Sequence, residues 1–329
     1  MSDGLYVTGC EPGTGRAAVS LGLFDLLARR VDRLGVFRPV VSAVDGSDPS
    51  IDLLLPRSPQ PEPYEACLGV PYADVLAEED KAMSEIVERF RALAARCDSV
   101  FVVGSDFTEA GAARELALNA RIAANLGLPV VCVVSGHDRA ATEVRAAADV
   151  GVAAMRAAGC EVIAVVANRV DQRELAAVTA GTTDGDVPVF ALPEAPVLTA
   201  PTMAEITGAC EGKLLVGDAA TLSRETAGVV VAAMMLPNML DRLYDDVVVI
   251  TPGDRADVLL GVVASHLSGG LPTPAGVVLT GGIAPVPKVL DLVEHLPTGL
   301  PVVLTEQDTY ETTSRAASVL GRITPDATR

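Results

Sequence analysis

The 329-residue chain has no tryptophan, and aromatic residues make up only 3% of it. Half of its residues are nevertheless hydrophobic, so its cores must be built from alanine, valine and leucine. That composition suits parallel sheets covered by helices. Lysine is almost missing: Lys81, Lys213 and Lys288 stand against 22 arginines. Positive charge is short overall, and the net charge of −18 disfavours non-specific binding to nucleic acid or to an anionic membrane. No uninterrupted apolar run nears the roughly twenty residues of a membrane helix, and the N-terminus carries no basic, apolar leader. A soluble, cytoplasmic protein without nucleic-acid or membrane partners is therefore expected. The six cysteines, at 10, 67, 97, 132, 160 and 210, form no C-x-x-C pair, which predicts free thiols. Cys10 reads either as a reactive thiol or as a small loop filler. His137, His266 and His295 lie far apart, and no metal spacing is present.

What is present is concentrated at the start. Residues 5–8 form a short apolar run, residues 9–15 a glycine-rich turn, and residues 16–31 carry apolar side chains at helical spacing. Strand, glycine loop and helix in that order make the setting of a phosphate-binding loop, where backbone N–H groups and a helix N-terminus face an anion. Gly9, Gly13 and Gly15 frame the loop, but Arg16 stands where an active loop has lysine, and Ala17 where a hydroxyl would hold Mg²⁺. None of the three lysines lies in it. The sequence keeps the frame of a nucleotide site without its phosphoryl-transfer groups.

Further along, strands are expected at 35–40, 99–103, 129–134, 161–167 and 187–192. Helices are expected at 50–54, 78–96, 109–126, 140–158 and 172–178, and residues 42–71 read as a long polar excursion. Alternation of this kind argues an α/β fold with a doubly wound parallel sheet, whose ligand crevice lies beyond the strand C-termini. Residues 9–16, Arg38, residues 104–106 and 135–138, Asn168, Arg169, Pro193 and Glu194 fall there. Prolines 193, 196 and 201 mark a boundary, dividing the chain into domains 1–195 and 196–329. In the second, helix is expected at 203–210, an apolar run of either type at 229–235, and helix at 237–244. Three strand–loop–helix units follow: strand 246–251 with helix 256–265, strand 276–280 with helix 288–295, and strand 301–305 with helix 310–320. At the end, Thr324-Pro325 reads as a helix start with little behind it, as in a chain cut from a longer one.

Several segments carry a family resemblance. The loop T-G-C-E-P-G-T-G-R-A-A, the strand end Phe37-Arg38-Pro39, A-N-R-V at 167–170 and A-L-P-E at 191–194 belong to it. So do A-A-M-M-L-P-N-M-L-D-R-L at 232–243, Gly253-Asp254-Arg255 and Thr280-Gly281-Gly282. Over its whole length the sequence resembles the N-terminal half of long-form bacterial phosphate acetyltransferases. There a dethiobiotin-synthetase-like domain with a degenerate phosphate loop precedes a smaller α/β DRTGG domain, and a transferase domain follows. The resemblance implies a regulatory and oligomer-stabilising region whose partners are its own C-terminal transferase domain and further copies of itself. It places no catalytic residue on this chain.

The site residues keep two readings each. Arg16 and Arg38 converge on one anion, or are paired structurally. In nucleotide-binding relatives an asparagine at the position of Asn168 reads adenine; otherwise it closes a strand-end turn. Asp106 is a Mg²⁺ carboxylate or a turn residue. Asp254 caps the helix after it, while Arg255 holds an effector or a neighbouring subunit. Thr280, Gly281 and Gly282 make an anion nest or a tight turn. No cofactor is certain; a nucleotide or small carboxylate effector is expected. The alternatives are a stand-alone metabolite-binding adaptor acting in trans and, less favoured, an ATP-dependent enzyme resembling dethiobiotin synthetase.

Overall fold

The computed structural model describes residues 4–42, 46–105, 111–180, 183, 186–319 and 321. Asp106 and the helix start at Thr324 therefore lie outside the described residues. The chain divides into two compact units at residues 195 and 196. No helix among the described residues is long and apolar enough to cross a membrane.

The first unit runs β1 (Gly4–Gly9), α1 (Arg16–Ala28), β2 (Leu34–Val41), α2 (Pro49–Leu54), β3 (Leu68–Pro71), α3 (Tyr72–Ala77) and α4 (Glu79–Ala94). It continues with β4 (Ser99–Val103), α5 (Ala112–Leu126), β5 (Val130–Ser135), α6 (Ala141–Ala157), β6 (Val162–Val170), α7 (Leu175–Thr179) and β7 (Val189–Pro193). The seven strands form one parallel sheet in the order β3-β2-β4-β1-β5-β6-β7. Every residue of β2 and β5 is buried, because helices cover both faces. Ile86, Phe90, Ile122, Val152 and Met155 of α4, α5 and α6 pack on one face. Val19, Phe24, Ile51 and Leu54 of α1 and α2 pack on the other. The scarce aromatics are placed centrally: Phe24 meets Phe101 edge-on at 5.5 Å, and Phe37 meets Phe90 at 5.8 Å. The order reverses on either side of β1, so the crevice opens beyond β1, where the glycine loop leaves the sheet.

Two features of this unit differ from expectation. The polar excursion ends in a strand, β3, which pairs with β2 and closes one edge of the sheet, and α3 follows at once. Leu-Gly-Val-Pro is too short to show a period, and Gly69 is there because the backbone is close: a Cβ would stand 2.0 Å from the Pro39 carbonyl oxygen. The helix expected at 172–178 is confined to Leu175–Thr179.

The second unit runs α8 (Met203–Ala209), β8 (Lys213–Val216), β9 (Gly228–Val231), α9 (Leu236–Leu240), β10 (Val247–Pro252), α10 (Ala256–Ser268), β11 (Gly276–Thr280), α11 (Pro287–Glu294), β12 (Val302–Leu304) and α12 (Thr309–Ser318). Its sheet has the order β8-β12-β11-β10-β9. Four strands are parallel, and β8 lies antiparallel on β12. The apolar run at 229–235 resolves into strand only as far as Val231. Strand β8 was not expected, since Lys-Leu-Leu-Val alternates too little to stand out. Thr202 and Glu205 close a capping box at the start of α8.

Candidate functional site

The glycine loop turns tightly from β1 into α1. Gly13 and Gly15 hold φ of 73° and 66°, a region glycine enters without strain. The crowding under Gly15 is also specific, because a Cβ there would stand 2.5 Å from Nδ2 of Asn168. Among the described residues, the backbone N–H groups of Gly13, Thr14, Gly15 and Ala17 donate to no acceptor. They surround the N-terminus of α1, where the helix dipole favours negative charge.

The two arginines do something else. Arg16 is buried, and its Nη1 donates to the carbonyl oxygens of Gly104 and Ser105 at 2.5 and 3.0 Å. Arg38, also buried, donates from Nη1 to the same Gly104 oxygen and from Nε to Asp48 Oδ2 at 3.2 Å. The pair does converge, but on a backbone oxygen at the end of β4, where strand carbonyls run out of ladder partners. A guanidinium fork is long and planar enough to bind such carbonyls in its own plane. Asp48 is itself committed, since its Oδ1 accepts from Ser50 N and Ile51 N as the cap of α2. The Asp48 N–H in turn donates to Tyr64 Oη, which donates to Asp52 at 2.8 Å. Burial, with Asp52 alongside, pushes the Tyr64 phenol up to about 12. Behind Ser105, Tyr6 Oη donates to Asn119 Oδ1 at 2.7 Å, and Ser105 N donates to the same oxygen at 2.8 Å. Burial raises the Tyr6 phenol far above its ordinary value.

Distant side chains hold the loop from the other side. Glu11 accepts from Ser135 N at 3.0 Å and from Arg139 Nη2 at 2.8 Å. Burial by itself would raise the Glu11 carboxyl, but the Arg139 and Ser135 hydrogen bonds outweigh it and bring it below 4.5. Asn168 turns its amide under the loop and donates to Thr14 O at 2.9 Å. Arg169, at φ 63°, donates to Glu194 Oε1 at 2.9 Å, and His137 Nδ1 lies 2.8 Å from Glu194 Oε2. The position of Glu194 at the crevice was legible in the sequence. The pairing of Glu11 with Arg139 was not, because 128 residues separate them and no local pattern marks it.

Loop N–H groups suit a phosphate or carboxylate. Mg²⁺–ATP chemistry fits poorly, because residue 17 has no hydroxyl and Arg16 faces the end of β4. Among the described residues no group of three or more His, Cys, Asp and Glu side chains is arranged for a metal ion.

In the second unit the two glycine motifs interlock. Gly253 N donates to Thr280 O at 3.1 Å, and a Cβ at Gly253 would fall 1.6 Å from the Ile283 carbonyl oxygen. Gly281 and Gly282, at φ 81° and 66°, donate their N–H groups to Gln307 O and Thr305 O, which gives the geometry of a docked turn. Thr280 Oγ1 meets Thr309 Oγ1 at 2.8 Å. Arg255 pairs at 2.9 Å with Asp257 on its own helix and donates to Met234 O. Asp254 is exposed and does not cap α10: the cap position falls on Arg255, and no side chain bonds there.

Known proteins resemble both units. A profile of the AAA domain matches residues 3–202, and one of the DRTGG domain matches residues 205–319. A phosphate acetyltransferase of Nitratidesulfovibrio vulgaris is 33% identical over 100% of this chain and 49% of its own length. One of Synechocystis sp. is 29% identical over 99% of this chain and 48% of its own length. The chain thus spans about half the length of these relatives. A solved structure of Cyanothece apo McdA overlaps with a TM-score of 0.37 at 11% identity, covering 60% of this chain and 88% of that one. An AAA domain followed by a DRTGG domain, with full-length alignment to about half of each enzyme, is decisive: the chain belongs with the N-terminal half of the long phosphate acetyltransferases.

Proposed function

We propose that the chain is the regulatory front region of a phosphate acetyltransferase, an enzyme interconverting acetyl-CoA plus phosphate with acetyl phosphate plus CoA. The acetyl-transfer groups reside outside this chain. The first unit takes a nucleotide or small carboxylate on the glycine loop without Mg²⁺, and the second stabilises an oligomer. One observation carries this reading: the loop still presents N–H groups, while Arg16 and Arg38 are committed to Gly104. Recognition has been kept where phosphoryl transfer has been dismantled.

A thermal-shift series with ATP, ADP, NADH, pyruvate and acetyl-CoA, with and without Mg²⁺, tests it. A ligand that binds only the folded state raises Tm once its concentration exceeds Kd. The expected result is a Mg²⁺-independent rise, lost in Gly13→Asp, which adds a carboxylate to the exposed loop. Absence of any shift would sink the sensing role. Robust acetyl transfer by this chain alone would sink the division of labour.

A further inference from the structure

We propose that β9 is a docking edge, on which a second copy of this chain pairs its own β9 antiparallel about a two-fold axis. The proposal rests on the reading of the second unit as the one that stabilises an oligomer, and it names the surface.

The two sheets end in four edge strands, β3 and β7 in the first unit and β8 and β9 in the second. An open edge presents a row of unpaired backbone groups, and proteins guard it with proline, lysine or a covering element. Strand β3 ends on Pro71, β7 follows Pro188 and ends on Pro193, and β8 opens on the exposed Lys213. Strand β9, Gly-Val-Val-Val, carries neither proline nor charge. No charged residue occurs from Thr226 to Leu240. Of the four edges, only this one is left without a guard residue.

The register shows which groups are open. Gly228 to Val231 pair with Val247 to Ile250 of β10, and the Ala232 N–H donates to Ile250 O at 2.8 Å. The N–H and C=O of a strand residue point to one side, and the side alternates along the chain. Val229 and Val231 therefore turn both groups away from β10, where no strand lies among the described residues. A two-fold axis at Val230 sets Val229 of one copy against Val231 of the other, and each such pair exchanges both of its N–H···O bonds. The two Val230 residues then face each other, a β-branched pair that suits a sheet. Gly228 falls opposite Ala232, so no bulk stands in the way.

Charge selects a second copy as the occupant. At a net charge of −18 two copies repel over most of their surface, and the uncharged stretch is where they approach at least cost. The apolar groups flanking the strand are also self-complementary. Met234 and Met235 are exposed beyond its C-terminal end, and the exposed Tyr244 stands at its start with Oη beside Gly228. The same axis turns each end onto the other and brings thioethers towards an aromatic ring. Such an interface is isologous, as a closed dimer requires.

Sedimentation of the full chain over a range of micromolar concentrations tests this, together with hydrogen exchange read by mass spectrometry. Self-association that grows with concentration is expected, with slower exchange at residues 228–232 as it builds up. Val231→Lys places the missing guard on the edge without taking a hydrogen bond from β10. It should weaken association at least tenfold and abolish the added protection. At dilutions where the parent protein is monomeric, the two should melt together. Association left intact by Val231→Lys, with no protection at 228–232 in the parent, would overturn the proposal and leave the oligomer-stabilising role standing. A chain monomeric at every concentration would overturn both.

Discussion

The guanidinium groups of Arg16 and Arg38 donate to one atom, the carbonyl oxygen of Gly104. Where a nucleotide enzyme of this architecture aims cations at phosphate, this chain aims them at its own strand end. The arrangement converts two residues that look functional into struts, and it makes their removal a matter of stability before it is one of binding.

Arg38→Met should therefore destabilise strongly. Arg38 and Asp48 are an ion pair with side chains only 5% and 8% exposed, and removing one partner leaves a buried carboxylate short of a donor. A loss of about 3–5 kcal/mol is expected from urea unfolding. The exposed pair Arg33–Asp98 provides the contrast, and Arg33→Met should leave the urea midpoint unchanged. Equal effects at the two sites would contradict the strut role.

Glycine substitutions separate packing from propensity. Gly253→Ala drives a methyl into the Ile283 backbone and should cost about 1–3 kcal/mol or more. Gly22 lies in α1, exposed, with nothing within 4 Å of a built Cβ. Gly22→Ala should instead stabilise by about 0.5–1 kcal/mol. Thermal melts of the two variants should move in opposite directions.

Acid should loosen the loop. The Glu11 and Glu194 carboxyls are both held below their ordinary value of 4.5 in the folded chain: burial alone would raise each, but Arg139 with the Ser135 N–H, and Arg169 with His137, together outweigh it. A carboxyl with a depressed folded pKa contributes stability that is complete above its unfolded value and is lost as pH falls through the folded one. The Tm difference between the parent protein and Glu11→Gln should thus hold constant down to about pH 5, then shrink below 4.5. A difference that persists well below that value would refute the Arg139 latch.

Thiol reactivity should follow burial. Cys67, Cys132 and Cys210 are buried. Burial pushes the Cys67 thiol up to about 12 and raises Cys210 as well. The Cys10 hydrogen bond, followed by burial, raises Cys132. Iodoacetamide near neutral pH should leave these three unmodified until denaturant is added, as mass spectrometry of the peptides would show. Cys10 and Cys97, half-buried, should label first.

The sequence by itself determined the α/β class, the strand–loop–helix order and the loss of the phosphoryl-transfer groups. Each of these is written in local patterns: apolar runs, helical spacing, and the residue types at positions 16 and 17. Gly13 and Gly15, which the glycine-rich pattern singles out, take positive φ, a demand that falls on a single residue. Tertiary structure alone decided where Arg16 and Arg38 point, since their acceptor at Gly104 lies 88 and 66 residues away. It decided that Asp254 caps nothing and that the N–H groups of Gly281 and Gly282 close onto the turn after β12. It decided β3 and β8 too, whose four residues each are strands only because β2 and β12 offer an edge. A hydrogen bond depends on which groups the fold brings within 3 Å of each other, and a chain of letters fixes that only through the packing of the whole unit.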